Sequence, residues 1–116
     1  MKIRIIDEIG PRCIIADDGQ KIHDRIVSAL KSGTNVNLDF TDVRQFASPF
    51  FNYAIGQLFS EFSEDVVRKC VHLDNLNEIG TIVVERVVAN ALIFRDSKDY
   101  KSIVDEILAR QSGDDK

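Results

Sequence analysis

The stretch "FASPFFNYAIGQLF", residues 46–59, decides how this chain is read. Phe51, Ala54, Ile55, Leu58 and Phe59, continued by Phe62, recur at i, i+3, i+4, i+7, i+8 and i+11. That is the apolar stripe of a helix laid against a core. Ser48 suits the N-cap, where a hydroxyl accepts from a free backbone N–H. Pro49 suits the first helical position, where its missing N–H leaves nothing unsatisfied. Gly56 costs about 1 kcal/mol relative to Ala inside a helix, so a neighbouring element is expected to approach closely there. Phe50 and Tyr53 are three apart and so neighbours on the flank, with Gln57 beside them. Aromatics on a half-exposed flank suit a contact surface.

Upstream, "NVNLDF" alternates, with Val36, Leu38 and Phe40 on one side and Asn37 and Asp39 on the other. That is a strand with one buried face. Before it, "QKIHDRIVSALKSG" carries Ile22, Ile26, Val27 and Leu30 at helical spacing and Gly33 at a C-terminal cap. "KIRII" and "RCIIA", split by Gly10-Pro11, read as a β-hairpin. Downstream, "KCVHLD" reads as a strand. "NLNEIGTIVVERVVANALIF" reads as a helix, with Asn75 and Glu78 at capping-box spacing and apolar residues at 76, 79, 83, 87, 91 and 94. A last amphipathic helix is built on Tyr100, Ile103, Val104, Ile107 and Leu108. The order β-β-α-β-α-β-α-α gives a single small α/β domain over residues 1–111. Its mixed sheet of about four strands includes at least one parallel pair and is covered by helices. Residues 112–116 are expected to form a disordered C-terminal tail.

A net charge of −4 argues against nucleic acid or anionic lipid as a partner. No segment reaches the roughly 20 apolar residues of a membrane span, and "MKIRIIDEIG" lacks the apolar core of a secretory signal. Cys13 and Cys70 stand alone and read as core residues of a protein of the reducing cytoplasm.

Catalytic chemistry finds little to work with. His23 reads as an exposed helix residue and His72 as a partly buried strand residue, neither with a metal-ligand partner at i+4. Asp39 and Asp42 follow a strand, but their three-residue spacing suits hydrogen bonds to turn amides. The glycines form no phosphate-binding loop. The expectation is therefore a non-enzyme without cofactor or metal.

"VNLDFTDVRQFASPFFNYAIGQLF" resembles the central segment of STAS-like domains, a bacterial family of largely undetermined function. The likeness rests on Leu38-Asp39-Phe40, Val43, Ala47-Ser48-Pro49, Phe50-Phe51 and Ile55-Gly56-Gln57-Leu58. STAS domains include anti-sigma factor antagonists, which bind a GHKL-type histidine-kinase-like ATPase and are switched by phosphorylation. In those, an Asp-Ser-Ser-Gly-type motif opens the equivalent helix. Here Ala47 takes the place of the Asp and Pro49 falls where the phosphorylated serine aligns, which leaves Ser48 as the nearby hydroxyl.

The resemblance implies a cytoplasmic regulatory and signalling module that works through protein–protein interaction, possible phosphorylation falling on Ser48. Val43, Arg44, Gln45, Ser48, Phe50, Tyr53 and Gln57 would form the partner surface. Two other readings stand beside it. One is a small-ligand or nucleotide sensor at Asp39 and Ser48, since helix N-termini attract anions. The other is a structural subunit forming a homo-oligomer through the valine-rich third helix.

Overall fold

A computed structural model describes the backbone of residues 1–112 and side-chain surroundings through Arg95. Strand β1 (Lys2–Arg4) is followed by helix α1 (Ile5–Ile9), strand β2 (Arg12–Cys13) and helix α2 (Ala16–Lys31). Then come β3 (Val36–Asp39), β4 (Gln45–Phe46) and α3 (Ser48–Phe51). A π-helical turn (Asn52–Gly56) leads into α4 (Leu58–Glu61), α5 (Glu64–Cys70), β5 (Val71–Asp74) and α6 (Glu78–Ser112).

The strands form two sheets, ordered β1-β3-β5 and β2-β4, and every described ladder is parallel. The expected α/β architecture with helices and parallel pairing is present, but the single mixed sheet of about four strands is not: five short strands among the described residues divide between two all-parallel sheets. The expected hairpin is absent too: Lys2 pairs with Asn37 and Arg12 with Gln45. Ile5, Ile6 and Ile9 are spaced for a helix face, and Ile5 is fully buried, so this apolar run turns into α1 instead of extending. Gly10, at φ +89°, closes that turn by donating its N–H to Ile6 O at 3.0 Å.

In β3, Val36 and Leu38 face the core as expected, and Phe40 follows them inward. "KCVHLD" divides: Cys70 ends α5 and the strand begins at Val71. Helix α5 was not foreseen, although Ser63 signals it. Ser63 Oγ accepts from Val66 N at 3.2 Å, acids follow in the first turn, and Arg68 and Lys69 stand in the last.

Helix α6 is one element where two were expected. Its cap is Asn77, whose Oδ1 accepts from Gly80 N at 2.8 Å. Asn75, assigned the cap from sequence, instead adopts φ +63° and donates its amide to Asp39. Of the apolar face expected on α6, Val87 is buried, but Ile79 and Phe94 are open to solvent. The side chains from Tyr100 to Leu108 and residues 113–116 of the expected tail lie outside the described residues. Among the described residues no helix is long and apolar enough to cross a membrane.

The core gathers beneath the segment that opened the sequence. Phe50, Phe51, Ala54, Ile55, Leu58 and Phe59 are all buried against Ile22, Ile26, Leu38 and Val87. Cys13, also in this core, has its thiol pushed up to about 12 by burial and then by the negative charge of Asp18.

Candidate functional site

The site region begins where β3 ends. Phe40 N donates to Asp74 O at 2.9 Å, tying the strand end to β5. Asp39 is buried, and its Oδ1 accepts from Thr41 Oγ1 at 2.6 Å, Asn75 Nδ2 at 2.9 Å and Thr41 N at 3.0 Å. Lys2 Nζ stands 3.4 Å from Oδ2. The Thr41 hydroxyl first, then the Asn75 amide and the Thr41 backbone, hold this carboxyl well below the usual carboxylate range. The turn reading of Asp39 therefore holds, and both its oxygens are engaged by the protein itself.

A pH dependence follows. The folded-state pKa lies below the unfolded value of about 3.9, so Asp39 contributes stability above that pH and loses it as pH falls towards the folded value. Asp39→Asn is expected to lower the unfolding midpoint at pH 7. The gap from wild type should narrow at pH 3, as measured by paired denaturant titrations.

The loop beyond Asp39 passes through Asp42 at φ +66° and Val43, whose N–H donates to Phe40 O at 3.0 Å. Arg44 N then donates to Pro11 O at 3.0 Å and Ala47 N to Cys13 O at 2.9 Å, so β2 holds the loop in place. This docking carries Val43 into the core, while Arg44 and Gln45 remain exposed.

The helix entry differs from expectation by one residue. Ala47, with φ −145° and ψ 153°, is the N-cap, and no side-chain hydrogen bond caps the helix. Ser48 is the first helical residue and is exposed, so its hydroxyl is not the cap.

Phe50 is likewise not on an open flank. It is fully buried, with its ring 5.0 Å from Phe51 in an edge-on arrangement. The reason is Gly19. A Cβ there would overlap the Phe50 carbonyl oxygen, so the bare backbone lets α2 come down on α3 and close that flank. Tyr53 remains 43% exposed.

Within the π-helical turn Gln57 N donates to Asn52 O, five residues back, at 3.1 Å. Such turns recur at functional sites. The Gln57 amide donates to Gln20 Oε1 and Tyr53 O, each at 3.0 Å. Gln20 in turn donates to Asp24 Oδ1 at 2.8 Å and reaches His23 Nδ1 at 3.3 Å. With the Gln20 amide first and His23 second, these bonds hold the Asp24 carboxyl down.

His23 is buried, not exposed, because its Nε2 meets Glu61 Oε1 at 2.7 Å, from a residue far along the chain. His72, expected to be half-buried, faces solvent on β5.

Beside Gln57 a pocket of about 320 Å³ opens between the π-helical turn and α6. Asn52, Gly56, Gln57, Ser60, Asn90, Ala91 and Phe94 line it. Gly56 is its floor, and a Cβ there would stand 3.5 Å from Val87 Cγ1 and 3.9 Å from Ala91 Cβ. These are ordinary van der Waals distances, so α6 neighbours Gly56 without needing its bare backbone; the close approach expected at Gly56 is found instead at Gly19. The contributions of Asn90 and Phe94 went unread in the sequence, with Gly56 the one residue that hinted at them.

Of the seven residues expected at a partner surface, Arg44, Gln45, Ser48 and Tyr53 lie open, Gln57 is partly covered, and Val43 and Phe50 belong to the core.

The family model described as "STAS-like domain of unknown function (DUF4325)" matches residues 18–81, from the first turn of α2 to the first turn of α6. No curated protein and no solved structure matches the chain.

Proposed function

Because the chain belongs to the STAS-like domain family, we propose that it is a regulatory protein-binding module that acts without catalysis. The observation that carries this reading is the exposed Tyr53 ring, set in a π-helical turn within the family-matched helix and flanked by the exposed Ser48 and Asn52. A tyrosine with an apolar ring and a polar tip is an effective interface anchor. Arg44 and Gln45 supply a polar rim, and the pocket floored by Gly56 offers a seat for a partner's side chain. The partner is a GHKL-type ATPase, the class that STAS relatives engage. The exposed Ser48 hydroxyl, which caps no helix, is where such a kinase would place a phosphate, at a helix entry whose dipole favours negative charge.

The test is Tyr53→Ser. The variant is expected to stay folded and to lose about 1 kcal/mol, since Tyr53 is 43% exposed and is not part of the buried core. Capture from the native host should lose the ATPase that wild type retains, with peptide mass spectrometry reading Ser48 in both samples. Retention of the same partners by both proteins removes this surface from the account. Phe50→Ser is no substitute, because loss of a fully buried ring would unfold the protein before it reported on binding.

A further inference from the structure

The sheet β1-β3-β5 ends in two outer strands, and their free edges differ. Phe40 N donates to Asp74 O, which fixes the phase of the β3–β5 ladder. His72 and Asp74 therefore turn their main-chain groups towards β3, while Val71 and Leu73 turn theirs outward. The Val71 N–H is taken by Val67 O at the end of α5. Among the described residues no group meets the Leu73 N–H or the carbonyls of Val71 and Leu73. Natural sheet edges are commonly guarded by lysine, proline or a bulge. The β1 edge carries exposed Lys2 and Arg4, whereas β5 reads Val-His-Leu-Asp and has no such guard.

A second feature lies on the same strand. The side chains of Val71 and Leu73, two residues apart, share one face of the sheet. There they line a pocket of about 210 Å³ with Ile55, Phe59, Val84 and Val88. Small-molecule sites run to roughly 300–1,000 Å³, so this one is sized for a single side chain. Arg68, the charged residue in its lining, is engaged through Nε by Glu64 at 2.7 Å, which leaves the seat apolar. A strand laid along β5 would continue the sheet, and its alternate side chains would fall on the Val71–Leu73 face, over this pocket.

We infer that the free edge of β5 takes up an extended apolar segment of another protein as an added strand, with one large apolar side chain of that segment seated in the pocket. The unpaired main-chain groups call for an extended peptide, and the uncharged seat selects its side chain. A second copy of this chain meets the first demand but not the second. Two β5 edges paired about a two-fold axis would offer each other only valine and leucine side chains that already line their own pockets, leaving both pockets empty. The inference is independent of the surface around Tyr53.

The test is selection of a displayed library of random short peptides on the purified full chain, followed by synthesis of the most enriched one. Enriched peptides should lack proline and carry a phenylalanine, leucine or isoleucine among β-forming residues. Binding should slow exchange of the Leu73 N–H about tenfold or more and shift the methyl resonances of Val84 and Val88. Leu73→Pro removes only an outward donor, a change that edge strands accept, and should abolish binding. The same peptide N-methylated at the residues that face β5 keeps its side chains but loses the ladder, so it should fail to bind the unaltered protein. No enrichment, a bound peptide that leaves Leu73 exchange unchanged, or equal binding of the N-methylated peptide overturns the inference. So does a free chain of doubled mass in which the Leu73 N–H is already protected, since a second copy would then hold the edge.

Discussion

Replacing Phe51 with alanine is expected to lower the unfolding free energy by about 3–5 kcal/mol. Phe51 is fully buried, and its ring lies 5.8 Å from Phe40, 5.9 Å from Phe46 and 5.0 Å from Phe50. It therefore joins the strand end, the β4 loop and the helix entry that together present the candidate surface. Truncation removes the transfer energy of the ring, leaves a cavity and dissolves three aromatic pairs, each worth roughly 0.5–1.5 kcal/mol beyond its area. A domain of this size has only about 5–15 kcal/mol in total, so the variant should sit near the edge of folding. Denaturant titration reads the change. A loss below about 1 kcal/mol would mean that the aromatic cluster does not hold the fold together.

Gly19→Ala should have the second-largest effect, with the opposite sign from ordinary helix propensity. In an unobstructed helix interior the change gains about 1 kcal/mol. Here the new methyl would overlap the Phe50 carbonyl oxygen and stand 3.0 Å from Tyr53 Cβ, and a backbone atom cannot swing aside. Forcing α2 away from α3 should cost about 3 kcal/mol, at the upper end for overpacking. Gly56→Ala is the control. Its Cβ would meet Val87, Phe51 O and Ala91 at 3.5–3.9 Å, ordinary contacts, so this variant should be neutral or up to about 1 kcal/mol more stable. Melting curves of the two variants moving in the same direction would contradict the packing described here.

What could be read in advance was what repeats locally. The Phe51–Phe59 stripe, the alternation of Val36, Leu38 and Phe40, and the family likeness of that segment all depend on near neighbours in sequence, and all hold. What escaped depends on partners far along the chain. Lys2 could form a hairpin or pair with Asn37, and nothing around "KIRII" distinguishes the two.

His23 looked exposed because its partner Glu61 is distant in sequence, and Phe50 looked exposed because the residue that covers it owes its effect to having no side chain. The surface was misjudged for the same reason. Val43 and Phe50 face inward because β2 and α2 close over them, while the α6 wall of the pocket comes from Asn90 and Phe94. Ser48 missed the cap by a single residue, since Ala47 already has the extended backbone that a cap requires.

Hydrogen exchange on the purified chain, with and without a GHKL-type ATPase from the same host, tests the proposed function most directly. The expected result is new protection in Arg44–Gln57, strongest around Tyr53, that disappears in Tyr53→Ser. Protection confined to other elements, or none at concentrations where the two proteins are mixed in excess, would contradict the assignment of this surface to such a partner.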